Sequence, residues 1–158
     1  MSDRVREAID SVPPGRRWMH AFTYSGHPTC CAVALKNIEI LEREGLIERA
    51  ETSGSRMLEQ LRTLESLDGV GNVRGLGMMA AVEVVADKAT KQLFPPEIGM
   101  TQKLTDALLD RGLCTRVAMD CICVAPPLVT TDAQIDRMVS IIGDTVSAVV
   151  SEAVSLRR

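Results

Sequence analysis

The residues able to do chemistry in this chain fall in three places. The run Thr23-Tyr24-Ser25-Gly26-His27-Pro28 sets three hydroxyls ahead of a helix predicted to begin after Pro28. Hydroxyls together with the free N–H groups and positive end of a helix suit a phosphate. Ordinary capping by Ser25 or a neighbour uses the same residues, and the spacing alone favours capping. Arg116 stands at the end of a predicted short strand and faces the apolar segment CICVAPPLV. An arginine beside apolar walls can grip a carboxylate through two parallel hydrogen bonds. The alternative is a surface arginine whose stem lies along the protein. Asp120, four residues on, is then either its resting partner or a turn residue. The third place, Gly75-Leu-Gly77-Met-Met-Ala80, spells the G-x-G-x-x-A of dinucleotide sites. In such sites a helix follows the glycines; here a β-rich run follows, so the motif reads as a turn entering a strand.

Other chemistries find little support. The five cysteines are an odd number without a CxxC pair, which argues against a disulfide framework or a zinc site. They read instead as small buried hydrophobes, with Cys121 and Cys123 facing one way on a strand. No metal site is expected. Both histidines, His20 and His27, lie in one loop-like stretch with the only Trp and the only Tyr, and they either line a site there or merely satisfy the loop. Aromatic residues make up 3% of the chain, too few for the stacking platforms of single-strand nucleic-acid binders. Eighteen basic residues against 21 acidic ones give a net charge of -3, which disfavours a broad nucleic-acid-binding face. No apolar run approaches bilayer length, and MSDRVREAIDS lacks the apolar core of a signal peptide, so a cytoplasmic protein is expected.

The elements that must position these residues follow from periodicity. A short helix is predicted over 3–11, stopped at Pro13-Pro14-Gly15. After Pro28, Cys31, Ala34, Leu35, Ile38 and Leu41 recur at helical spacing, and Gly45 ends the pattern. A second helix places Ile47, Ala50, Met57, Leu58, Leu61 and Leu64 on one face. Residues 78–85 read as a buried strand, preceded by a segment starting at Val73. A polar loop over 86–97 closes at Pro95-Pro96. Met100 to the stop at Gly112 is a third main helix, and 113–116 and 121–124 are two short strands. The last helix opens on a capping box, Thr131 and Gln134, and carries the stripe Ile135, Met138, Val139, Ile142, Val146, Val149, Val150 and Ala153. This order predicts an α+β fold, a small antiparallel-rich sheet with helices on one face.

Three long stretches resemble class III (omega-type) aminotransferases, pyridoxal-phosphate enzymes of fold type I. They are HAFTYSGHPTCCAVALKNIEILEREGL, NVRGLGMMAAVEVVADKAT and LCTRVAMDCICVAPPLVTTDAQID, in collinear order over roughly residues 12–150. The resemblance implies the small C-terminal domain of such an enzyme over 46–158. Residues 1–45 would then be a remnant of the large-domain interface segment with the interdomain helix. It implies that Thr23 holds the cofactor phosphate, reaching across a dimer interface, with Phe22 beside it. It implies that Arg116 is the mobile arginine that binds a substrate carboxylate and swings aside for an uncharged amine.

The family's Schiff-base lysine lies tens of residues upstream of the TYSGHP motif, whereas here 22 residues precede Thr23 and none is lysine. Lys36, Lys88, Lys91 and Lys103 all follow the motif, and none matches the catalytic position. Transamination needs that lysine to hold the cofactor and to shuttle the proton. The expectation is therefore the C-terminal part of an aminotransferase, inactive alone, with no catalytic residue of its own. It would work as a homo-oligomer, a dimer, or with a missing large domain, on a small amine and a keto acid such as pyruvate. Two alternatives stand beside this one: a non-catalytic interaction and dimerisation module derived from such an enzyme, and a binder of small phosphorylated anions.

Overall fold

The longest apolar stripe of the chain builds the longest helix, and the rest of the core assembles on it. The computed structural model describes residues 1–19 and 22–155. It divides into two compact units, Met1–Ile40 and Leu41–Arg158.

The first unit holds α1 (Asp3–Asp10), a single 3-10 turn (Pro14–Arg16) and most of α2 (Pro28–Arg43). Pro13 and Pro14 stop α1 as predicted, since neither can donate the next helical hydrogen bond. The Arg17 guanidinium then donates to the carbonyls of Asp10 at 3.0 Å and Val12 at 3.3 Å, which ties the turn back to the helix end. No residue of α2 is buried, although its apolar positions follow helical spacing; Val33, Leu35 and Ile38 are 65%, 69% and 51% exposed.

The second unit is a four-stranded antiparallel sheet with α3 (Leu46–Thr63), α4 (Met100–Asp110) and α5 (Asp132–Ser155) on one face. The strands are β1 (Val70–Leu76), β2 (Met79–Val84), β3 (Arg116–Ala118) and β4 (Cys121–Val124), in the order β1-β2-β4-β3. The expected α+β fold is therefore present. Alternation sends Val82, Val84, Ile122 and Val124 into the core, against Leu61, Leu104, Ile135, Ile142 and Val146. Burying each such side chain contributes about 1.5–3 kcal/mol. All eight positions of the predicted α5 stripe are buried, and the capping box forms. The Thr131 N–H donates to Gln134 Oε1 at 2.8 Å, and the Gln134 N–H donates to Thr131 Oγ1 at 3.3 Å. Contrary to expectation, α5 is long and apolar enough to cross a membrane by length and composition. Its stripe is instead the centre of the helical layer.

Two details differ from the sequence reading. Ile47 is 63% exposed, and Leu46 takes the buried place. Starting α3 at Leu46 puts Leu46, Ala50, Gly54, Met57, Leu61 and Leu64 in one stripe, and Ile47 lies about 100° off it. The GLGMMA run is a two-residue β1–β2 turn, Gly77-Met78, with Leu76 opposite Met79. Gly77 supplies the positive φ of +54° that the first turn position requires. There α3 packs tightly on the turn, since a Cβ on Gly54 would lie 2.3 Å from the Gly77 carbonyl carbon.

Candidate functional site

Phe22 and Thr23 open a tight turn in front of α2. The Ser25 N–H donates to the Phe22 carbonyl at 2.9 Å, and the Phe22 N–H donates to Ser25 Oγ at 3.1 Å. Gly26 follows at φ +72°, and the His27 N–H donates to the Tyr24 carbonyl at 3.3 Å. Ser25 thus closes its own turn and does not cap α2. The helix opens on the Cys31 N–H bonding the His27 carbonyl at 3.0 Å. Thr23 is exposed, and its hydroxyl has no partner among the described residues. Phe22 is 70% exposed beside it. The turn can therefore offer one hydroxyl next to a helix start to an anion. His27 is exposed in the same turn, and His20 lies outside the described residues.

Arg116 belongs to the other unit. The sequence reading put it at the end of a strand over 113–116, but it begins β3. The residues before it do other work: the Leu113 N–H donates to the Leu108 carbonyl at 2.9 Å and closes α4, and the Thr115 hydroxyl donates to the Cys123 carbonyl. Strand pairing starts only where β4 provides Cys123 opposite Arg116. A transverse row, Arg74, Ala81, Cys123 and Arg116, crosses the face of the sheet away from the helices. Its two arginines differ. Arg74 donates to Asn72 Oδ1 at 3.2 Å, reaches Cys121 Sγ at 3.7 Å and lies 3.9 Å from Glu83 Oε2. Arg116 is exposed and has no hydrogen-bond or ionic partner among the described residues. Part of the apolar segment it was expected to face, Val124, Pro126 and Pro127, lines a hollow of about 220 Å³ with Leu113 and Met138, and Arg116 is not in that lining.

Asp120 is not the resting partner of Arg116. It is 8% exposed, and Thr101 in the first turn of α4 donates its hydroxyl to Asp120 Oδ1 at 2.7 Å. The Asp120 N–H returns a bond to Thr101 Oγ1 at 3.1 Å. Asp120 is the turn residue that the spacing also allowed, and nothing in the sequence marks Thr101 for its role.

The cysteines are not the buried hydrophobes expected. All five thiols are free; Cys30, Cys31 and Cys114 are exposed, and Cys121 and Cys123 are half-buried on one side of β4. Burial pushes the Cys121 thiol above its ordinary pKa, while the Arg74 guanidinium pulls it the other way. Among the described residues, no three His, Cys, Asp or Glu side chains gather as metal ligands. Every lysine ammonium is engaged. Lys36 pairs with Glu39 at 2.6 Å, Lys88 donates to the Glu65 carbonyl at 2.6 Å, Lys91 to the Gly71 carbonyl, and Lys103 pairs with Glu152.

The chain is similar in sequence and fold to known proteins. The family profile described as aminotransferase class-III matches residues 3–146. A putrescine–pyruvate aminotransferase from Pseudomonas aeruginosa is 36% identical over 85% of this chain and 30% of its own length. A thermostable (S)-enantioselective omega-transaminase from Thermomicrobium roseum is 45% identical, with a TM-score of 0.85 over 94% of this chain and 33% of that one. An amine transaminase from an uncultivated Pseudomonas species, solved in the PLP-bound form, is 36% identical with a TM-score of 0.80, over 92% of this chain and 33% of that one. The chain thus spans about a third of the length of the relatives it matches.

Proposed function

The chain belongs to the class III aminotransferase family, and from that premise we propose that it supplies the phosphate-holding turn and the substrate arginine of a pyridoxal-phosphate enzyme. The enzyme would move an amino group from an amine or amino acid to a keto acid, with pyruvate as one acceptor. The cofactor's contribution when bound is an electron sink for the carbon that loses or gains the amino group. Within this chain, Thr23 donates its hydroxyl to the phosphate, Phe22 lies beside it, and the positive end of α2 adds attraction. Arg116 holds the keto-acid carboxylate through paired hydrogen bonds and moves aside for an uncharged amine. Residues 1–45 act as interface segment and interdomain helix, and 46–158 as the small domain. The observation that carries the reading is Arg116 itself, a guanidinium with no local partner among the described residues on the first residue of an edge strand.

The residues present fit only one end of the cofactor. Thr23 and the start of α2 suit a phosphate, but none of the four lysines matches the position of the family's Schiff-base lysine, which holds the cofactor and shuttles the proton. No catalytic residue is assigned to this chain, and these 158 residues alone are not expected to transaminate. A partner subunit or a further part of the enzyme would provide the lysine. The test is titration of the purified chain with pyridoxal phosphate, then borohydride reduction and intact-mass measurement. No adduct, or adducts scattered over several lysines, is expected. A stoichiometric, phosphate-sensitive adduct on one lysine would overturn this division of labour.

A second reading, a dimerisation module, draws on α2. Its Leu35 and Ile38 lie on one face and are exposed, and an apolar helical face of this kind drives association. Light scattering behind size-exclusion chromatography would then give a dimer or larger species that Leu35→Glu with Ile38→Glu converts to monomer. A wild-type monomer would sink this reading.

A further inference from the structure

Arg116 has no side-chain tether among the described residues, so its location depends on the strand that bears it. That strand is only three residues long, at the sheet edge, and a two-residue turn joins it to β4. Met119 and Asp120 occupy the turn at φ +50° and +59°. Positive φ at both positions matches the right-handed twist of a two-residue hairpin, but glycine and asparagine adopt it with far less strain than methionine. Such a turn persists only where its surroundings over-determine it.

Asp120 provides that over-determination. Its carboxylate accepts the Thr101 hydroxyl at 2.7 Å, and its N–H donates to the same hydroxyl oxygen at 3.1 Å. Its carbonyl accepts the Val84 N–H of β2 at 2.9 Å. Three hydrogen bonds thus fix one turn residue to the first turn of α4 and to the neighbouring strand. The carboxylate also sits where the positive end of α4 favours it. From this anchor the pairs Ala118–Cys121, Val117–Ile122 and Arg116–Cys123 follow in order. A one-residue slip of so short a strand would turn Arg116 to the opposite face.

We propose that the Thr101–Asp120 clasp sets the β3–β4 hairpin and so makes Thr101, on α4, a positioning residue for the carboxylate-binding Arg116. The proposal rests on the reading of Arg116 given above.

The test uses the 158-residue chain, ¹⁵N-labelled, as wild type and as Thr101→Ala, Thr101→Ser and Arg116→Ala. Amide hydrogen exchange reads the clasp, and the Arg116 Nε–H signal reads its target. In Thr101→Ala, exchange at Asp120 and Val84 is expected to rise about tenfold, the equivalent of one hydrogen bond. The Arg116 signal should move, and exchange at Ile142 in α5 should stay unchanged. Thr101→Ser, which keeps the hydroxyl, should restore all of these. Unchanged exchange at Asp120 and Val84, or an equal rise at Ile142, would overturn the clasp. Pyruvate titration separates the two claims. Shifts at the Val117 and Cys123 amides should vanish in Arg116→Ala and weaken several-fold in Thr101→Ala. If they survive Arg116→Ala, or never arise in the wild type, the carboxylate role of Arg116 falls, and the positioning role with it. If they vanish in Arg116→Ala yet stay full in Thr101→Ala, the positioning role alone falls.

Discussion

Gly54→Ala is the sharpest packing test of the second unit. Two effects of opposite sign compete there. Alanine in a helix interior is favoured over glycine by about 1 kcal/mol, because glycine loses more backbone freedom on folding. Against that, the added Cβ would lie 2.3 Å from both the carbonyl carbon and oxygen of Gly77. That is more than 1 Å short of ordinary contact, which begins at 3.4 Å. The obstructing atoms are backbone in a two-residue turn, so no side chain can rotate away. Either α3 lifts from the sheet or the β1–β2 turn distorts. Overpacking of this kind costs about 1–3 kcal/mol, and a clash with backbone belongs at the upper end. The expected net loss is about 1–2 kcal/mol, a fall in Tm of roughly 4–8 °C for a unit of this size. Thermal unfolding by circular dichroism measures it, with exposed Ser55→Ala as a control for propensity alone, expected to gain about 0.5 kcal/mol. A Tm for Gly54→Ala equal to or above wild type would refute the close approach of α3 to the turn.

Three further outcomes follow from single groups. Thr145 is fully buried in α5 and its hydroxyl has no partner among the described residues, so Thr145→Val should raise stability by about 1 kcal/mol in urea unfolding; a loss would mean that the hydroxyl has a partner. In alkylation at pH 8 followed by peptide mass analysis, Cys30, Cys31 and Cys114 should react before Cys121, whose thiolate burial disfavours; Cys121 reacting first would contradict this. The Gln60 hydrogen bond, with Arg56 beside it, holds the Asp136 carboxyl below its ordinary pKa. Its contribution is present above the unfolded value near 3.9 and is lost as pH falls through the lower folded value. Asp136→Asn should therefore flatten stability against pH below about pH 4, and an unchanged slope would remove Asp136 from the acid transition.

What the sequence disclosed depended on whether the signal was local. The α5 boundaries and buried stripe were legible because a capping box and a helical period sit in one continuous run. The G-x-G-x-x-A run was legible as a turn because its context is also local. β3 was displaced because strand limits depend on the partner, and only β4 decides that pairing begins at Arg116. Of the two readings of Asp120, the turn residue holds and the partner of Arg116 does not. Proximity in sequence offered Arg116, while the fold offers a threonine 19 residues away on another element. For α2 the period was legible, but periodicity specifies a face and not what covers it.

The parts of the candidate site differ in kind, and that difference bears on what this chain can do. A phosphate or a carboxylate can be held by donors that need no proton transfer. Thr23 is an exposed hydroxyl beside a helix start, and Arg116 is an exposed guanidinium whose fork matches a carboxylate. Bond making needs a group whose protonation can change, and the amines that could serve are all engaged. Lys88 and Lys91 donate to backbone carbonyls, and Lys36 and Lys103 pair with carboxylates. On the reading proposed above, recognition and covalent chemistry would reside on different segments of the enzyme, with Thr23 and Arg116 on the recognising side.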